Sequence, residues 1–297
     1  MQTYVIAFRA MGSQVNVWLE TGEDGTVILQ QVPGWLEDIE AVLSRFRPTS
    51  ELSYLNRQVG KRVTVSDIMC TNIAQALMAA RLTGGLVTPL VLRALVAAGY
   101  DRSFEMLQGT VTGRTEGVPL CDWEGIQLNE TARRVWLPDQ IDLGGTAKGW
   151  SAQLVANRLA GYGAALVDLG GDIVGRGKPW AVQLHDPFQP DTPFTTLTLH
   201  DEAVATSGTD YRRWGTRQHH IIDPRTGIPA DTDVVSATVI HPDAVLAETF
   251  AKAVLLQGSR AGLSWLAQQP QTAGAVFDRE GRVLATENFQ THIQQGA

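Results

Sequence analysis

Apolar residues alternate with polar ones in "QVNVWLE", where Val15, Val17 and Leu19 share one face. That period of two predicts a strand buried on one side. Over residues 32–45 the spacing changes, and Trp35, Leu36, Ile39, Val42 and Leu43 recur at helical intervals. "SDIMCTNIAQALMAARLTGG" opens on Ser66 as an N-cap and closes on Gly84-Gly85, which predicts a second helix. Shorter helical patterns follow over 91–98, stopping at Gly99, and over 146–159, entered directly from a Gly-Gly pair. In "AGYGAALVDLGGDIVG" apolar runs broken by glycines predict two strands joined by a tight turn, and "WAVQL", "FTTLTL" and "HHIID" continue the strand-like spacing. "VVSATVIHPDAVLAETFAKAVLLQG" reads as a strand, a Pro-Asp helix start and a helix ended by Gly258. The last pattern, "GAVFDREGRVLATENF", places a polar turn at 278–281 between two strands. No Pro- or Ser-rich linker, tandem repeat or low-complexity segment divides the chain. The expected fold is α+β, a single compact domain over residues 1–297 with mixed or antiparallel sheets flanked by helices.

Charge narrows the functional classes. Twenty-four Lys and Arg against 31 Asp and Glu leave a net charge of −7 at pH 7. A nucleic-acid binder needs clustered cations, so nucleic acid is excluded as a partner. No run of 18 apolar residues is present to form a transmembrane helix. "MQTYVIAFRAMG" lacks a secretory signal, so the expectation is a cytoplasmic protein, or an exported or lipid-anchored one if a leader has been removed. Cys70 and Cys121 are too few for a disulfide framework and have no zinc-ligand spacing; both read as structural thiols.

The chemistry-bearing stretches begin with an echo. Asp142-Leu143-Gly144-Gly145 returns as Asp168-Leu169-Gly170-Gly171. The first pair precedes a helix, whose free N–H groups suit an anion, and Lys148 adds positive charge in its first turn. Gly170-Gly171 precedes a strand and suits a tight turn or a close ligand approach. Neither element has the spacing of a P-loop or a dinucleotide fingerprint. In "HHIID", strand alternation would put His220 and Ile222 on one face and His219, Ile221 and Asp223 on the other. His220 is a candidate general base or an ordinary half-buried residue. Ser207, followed by glycine, reads as a turn residue or a phosphate donor, and no serine-hydrolase elbow is present. Glu248 and Lys252 are four apart on one helix face, the spacing of a surface ion pair or of a metal or phosphate site.

Taken in order, "FRAMGSQVNVWL", "LSRFRPTSELSYLN", "IDLGGTAKGW", "ALVDLGGDIVG", "AVATSGTDYRRW" and "HHIIDPRTG" resemble the FAD:protein FMN transferases, the ApbE-type flavin transferases. The resemblance implies that the FAD pyrophosphate is cleaved, FMN is joined to a Thr hydroxyl of a target protein, and AMP leaves. It implies FAD as substrate, Mg²⁺ as the usual cation and a protein acceptor as partner. Met11 and Phe46 would line the flavin, and Asp142, Lys148, Ser207 and Ile222 would contact FAD. Gly170 and Gly171 would allow backbone approach, and His220 would be the base. The Gly145 carbonyl and Glu248 would match metal-ligand positions.

Two departures stand out. Where the family reads Asp-x-x-x-Thr, this chain has Glu248 and Lys252, and a protonated lysine repels a metal. Lys252 either supplies part of the metal's charge or pairs with Glu248 and weakens the site. A Phe-Asp-Pro-Thr segment is replaced by Val87-Thr88-Pro89-Leu90. The competing functional expectation is an FAD-binding relative that stores or senses flavin without transferring it.

Overall fold

The computed structural model describes residues 1–107, 113, 116–214 and 218–294. The chain folds into two compact units, each discontinuous in sequence. One comprises Met1–Leu36, Lys148–Asp210 and Thr232–Ala297; the other comprises Glu37–Ala147 and Tyr211–Asp231. The chain enters and leaves the second unit twice, which is why no single linker marks a boundary in the sequence.

The first unit is built on an eight-stranded antiparallel sheet. Among the described residues the unit's strands are β1 (Gln2–Ala10), β2 (Ser13–Thr21), β3 (Ala164–Leu169), β4 (Asp172–Arg176), β5 (Pro179–Asp186), β6 (Gln189–His200), β7 (Ala203–Gly208), β8 (Val234–His241), β9 (Ala273–Asp278) and β10 (Val283–Ala285). The sheet order is β1-β2-β3-β4-β7-β8-β9-β10, while β5 and β6 form a separate long hairpin. Alternation is realised in β2, where Val15, Val17 and Leu19 are fully buried. Helix Ala244–Gln257 packs on β7 and β8 and is buried almost all round. Asp243 caps it, its carboxylate accepting from the Val245 and Leu246 amides, and Gly258 ends it at φ +87°.

Two tight hairpins organise one end of this sheet. Met11-Gly12 joins Ala10 to Ser13, and Gly170-Gly171 joins Leu169 to Asp172. All four turn residues have positive φ: 51° and 64° in the first pair, 64° and 92° in the second. That handedness matches the twist of the flanking strands. Met11 is a side-chain-bearing residue in a region that favours glycine, a conformation that recurs at functional positions. A Cβ on Gly170 would lie 2.6 Å from Ser13 Cβ and Oγ, whereas one on Gly12 meets nothing within 4 Å. Gly170→Ala should therefore lose roughly 2–4 kcal/mol, from left-handed strain plus overpacking. Gly12→Ala should lose only the strain, about 1–2 kcal/mol. Urea midpoints of the two variants check the difference.

The C-terminal segment straps the β5–β6 hairpin. Phe289 is buried among Leu184, Leu197 and Leu199, and Leu197 bridges to Ile293. Alongside, His292 Nε2 lies 3.2 Å from Glu202 Oε1. The Glu202 hydrogen bond holds the His292 pKa above its ordinary 6.5. Burial pushes Glu202 up, but the bonds from His292 and the His200 amide hold it below 4.5. The sign follows from linkage. His292 stabilises the fold fully below pH 6.5 and loses its contribution as pH rises through its raised value; Glu202 contributes above pH 4.5 and loses it as pH falls. Stability from the pair should peak between pH 4.5 and 6.5, and His292→Gln should flatten the decline just above pH 6.5 in urea titrations.

The second unit carries helices Glu51–Asn56, Asp67–Leu82 and Leu92–Ala97 and a small sheet of Arg62–Thr64, Arg134–Trp136 and Gln127–Asn129. Ser66 caps the long helix as its sequence implies, accepting from the Met69 amide. The predicted "HHIID" strand does not form as one piece. Gln218–His219 and Ile222–Asp223 are separate two-residue strands with different partners. His219 sits at the break: its Nδ1 accepts the Ile221 N–H at 3.3 Å, and its Nε2 lies 3.0 Å from the Ala230 carbonyl. The alternation expected of His220 and Ile222 therefore does not apply.

Candidate active site

In the first unit, Lys148, Asp172, Glu248 and Lys252 form a buried charge cluster. Lys148 comes from the first turn of helix Ala147–Leu159 and Asp172 from the start of β4; Glu248 and Lys252 lie one turn apart on helix Ala244–Gln257. Lys148 Nζ donates to Asp172 Oδ2 and lies 3.7 Å from Glu248 Oε1; Lys252 Nζ donates to the same Oε1 at 2.9 Å. Glu248 Oε2 accepts the Gly149 amide at 3.0 Å. The anion expected at this helix start is thus one of the protein's own carboxylates. A Cβ on Gly149 would lie 2.6 Å from the Ala244 carbonyl oxygen and 3.1 Å from Glu248 Oε2, so only glycine lets these helices approach.

Glu248 is 1% exposed and Asp172 2%. The surface-pair reading of Glu248 and Lys252, worth a few tenths of a kcal/mol, is therefore wrong for this chain. Burial and then the neighbouring Glu248 charge push the Asp172 pKa up to about 6, against Lys148 and Lys252. Burial also pushes Glu248 up, but Lys252, Lys148 and the Gly149 amide outweigh it and hold the carboxyl below its ordinary range. Two lysine side chains thus face two buried carboxyl groups, one against each.

The repeated Asp-Leu-Gly-Gly has one local cause. Asp142 Oδ1 accepts the Gly144 N–H at 2.8 Å, and Asp168 Oδ1 accepts the Gly171 N–H at 3.0 Å. In each copy the aspartate ties down a glycine turn through a short-range side-chain bond. The sequels differ as the sequence implies: one turn opens a helix, the other a hairpin. Ser207 lies within β7, paired with Ala237 and buried, so it is a strand residue and not a turn residue.

In the second unit, Arg45 joins residues that the sequence treated separately. Its Nε binds Asp142 Oδ2 at 2.8 Å, and its Nη1 donates to the Tyr100 carbonyl at 2.8 Å. The guanidinium carbon lies 4.1 Å from the Phe46 ring centroid and 4.5 Å from that of Tyr100. Stacking on two rings and pairing with a carboxylate fix Arg45 strongly. Phe46 remains 38% exposed, an aromatic face still open to contact, while Tyr100 stacks on Trp214 with centroids 5.1 Å apart. Ile222 is buried in the cluster containing Tyr100 and Trp214. His220 lies half-buried at the break between the two short strands, and Gly145 in the turn before helix Ala147–Leu159. Arg45, Tyr100, Gly149 and Asp172 escaped the sequence reading. Only Asp172, next after a Gly-Gly turn, carried a signal that could have singled it out.

The model of the ApbE family matches residues 11–277. The chain belongs to the ApbE family. Among ApbE relatives, the FAD:protein FMN transferase of Treponema pallidum is 31% identical, aligned over 90% of this chain and 81% of that protein. The FAD:protein FMN transferase of Vibrio cholerae is 28% identical, over 81% of this chain and 76% of that protein. A crystal structure of the ApbE protein of Thermotoga maritima superimposes with a TM-score of 0.89 at 25% identity, covering 99% of this chain and all of that one. The α+β fold expected from the sequence is therefore the ApbE fold.

The Mg²⁺ implied by the family resemblance can be tested against the donors present in this ApbE chain. Both Glu248 oxygens are already engaged, one by Lys252 and one by the Gly149 amide. Unit charges about 4 Å apart interact by about 4 kcal/mol at an effective dielectric near 20, so an ammonium at that range opposes a dication by about 8 kcal/mol. Each of the two buried carboxyl groups already has a lysine ammonium against it, so neither is left open for a cation. Among the described residues, no group of three His, Cys, Asp or Glu side chains is placed to hold a metal. The residues at Glu248 do not fit Mg²⁺.

Proposed function

We propose that this ApbE-family chain is an FAD:protein FMN transferase, joining FMN through its phosphate to a Thr hydroxyl of a protein and releasing AMP. The observation that carries this reading is the likeness to transferases of that name along nearly the whole chain. In the proposed reaction the Thr Oγ attacks the phosphorus on the FMN side of the diphosphate, and the bond from that phosphorus to the bridging oxygen breaks. AMP leaves with the bridging oxygen as a phosphate anion. His220 takes the hydroxyl proton.

Catalysis of this kind rests on positioning and charge more than on covalent chemistry. The exposed face of Phe46 suits a flat isoalloxazine. In the second unit, Asp142, held by Arg45, suits hydrogen bonding to the nucleotide, as does the backbone at Ile222. The Gly170-Gly171 turn presents backbone without side chains. His220→Ala should lower FMN transfer at least 100-fold, the usual scale for a lost general base, while changing FAD affinity less than threefold. Single-turnover transfer and flavin fluorescence measure the two separately. Equal losses in both would place His220 in binding instead.

A further inference from the structure

We propose that the Lys252 ammonium is the resident cation of the Glu248 centre, so that flavin transfer in this protein runs without a divalent metal. The inference deepens the transferase reading and rests on it for its catalytic half; its structural half stands on the charge cluster alone. Lys148 is already committed to Asp172, and its ammonium lies 3.7 Å from Glu248 Oε1. Lys252 is the nearer cation, 2.9 Å from that oxygen and four residues along the same helix, so the helix itself sets its position. Its side chain is 15% exposed, whereas Glu248 is 1% exposed.

Removing the Lys252 charge would leave two carboxylates and one ammonium, a buried centre of net charge −1. Such a centre favours a cation, with carboxylate oxygens as donors for a hard divalent ion. With Lys252 present the centre is neutral, and an entering dication would confront an ammonium on the oxygen it needs. A lysine is a compact point charge on a flexible stem, suited to standing in for an ion. Unlike an exchangeable ion, it cannot be removed by chelation.

The test is Mn²⁺ uptake followed by electron paramagnetic resonance, with and without FAD, on the wild-type protein, Lys252→Thr and Lys252→Arg. The wild type and Lys252→Arg should leave millimolar Mn²⁺ free in both conditions. Lys252→Thr should take up about one equivalent per chain, at least tenfold more tightly than the wild type. In parallel, wild-type transfer should be unchanged by EDTA, while Lys252→Thr should lose at least tenfold in EDTA and recover with Mg²⁺. Stoichiometric Mn²⁺ uptake by the wild type, wild-type transfer abolished by EDTA, or a folded Lys252→Thr that ignores Mn²⁺ would each overturn the proposal. If Lys252→Thr fails to fold, the wild-type Mn²⁺ and EDTA results still decide it. Absence of transfer under every condition would instead remove the transferase reading, with the Mn²⁺ data still deciding the resident cation.

Discussion

Glu248→Ala should destabilise the first unit by about 3–5 kcal/mol, the scale of a broken buried ion pair. The loss has three parts: Lys252 loses its carboxylate partner, Lys148 loses its contact with the Glu248 carboxylate, and the Gly149 amide loses its acceptor. The double variant Glu248→Leu with Lys252→Met removes opposite charges together and leaves the Lys148–Asp172 pair intact. It should therefore lose less than Glu248→Ala, because no uncompensated charge remains. Chemical denaturation at pH 7 gives both values. Equal losses would mean that packing around Glu248, and not its charge, holds this part of the fold.

Gly149→Val should be nearly as severe, at roughly 3 kcal/mol or more. The new Cβ would overlap the Ala244 carbonyl, and backbone on a buried helix yields little. Because Gly149 also donates to Glu248, separating the helices would weaken the charge cluster as well. Gly34→Ala provides the comparison. Gly34 is an exposed helical glycine with nothing within 4 Å of a Cβ, and its replacement should be neutral or stabilising by up to about 1 kcal/mol. Thermal melts of the two variants test whether close helix approach, rather than helix propensity, explains the glycine at 149.

The features legible in the sequence are those set by neighbours along the chain. Val15, Val17 and Leu19 alternate because one face of β2 is buried; Ser66 and Asp243 cap helices because their side chains reach amides two or three residues on. The Gly-Gly turn at 170–171 was legible for the same reason. The site was legible only in pieces. Glu248 and Lys252 have the same spacing whether exposed or buried, so sequence alone could not separate a weak surface pair from a buried centre. Asp172 and Lys148 are 24 residues apart and meet only once β4 and helix Ala147–Leu159 are in place. Arg45 reaches Asp142 across nearly a hundred positions, with no local pattern to announce it. The family resemblance supplied Phe46 and gave roles to His220 and Lys148, which their local patterns had already singled out. It supplied neither the partners that hold them nor the break at His219 that displaces His220 from a continuous strand.

FMN transfer from FAD to a protein acceptor is the activity that the family of this chain carries out. Its most direct test is incubation of the purified protein with FAD and, in turn, the protein acceptors of the Treponema pallidum and Vibrio cholerae relatives, read by intact-protein and peptide mass spectrometry. An FMN-sized increase on a Thr-containing acceptor peptide and an equal amount of AMP are expected. FAD bound by the protein but recovered intact, with every acceptor unmodified and no AMP released, would contradict it.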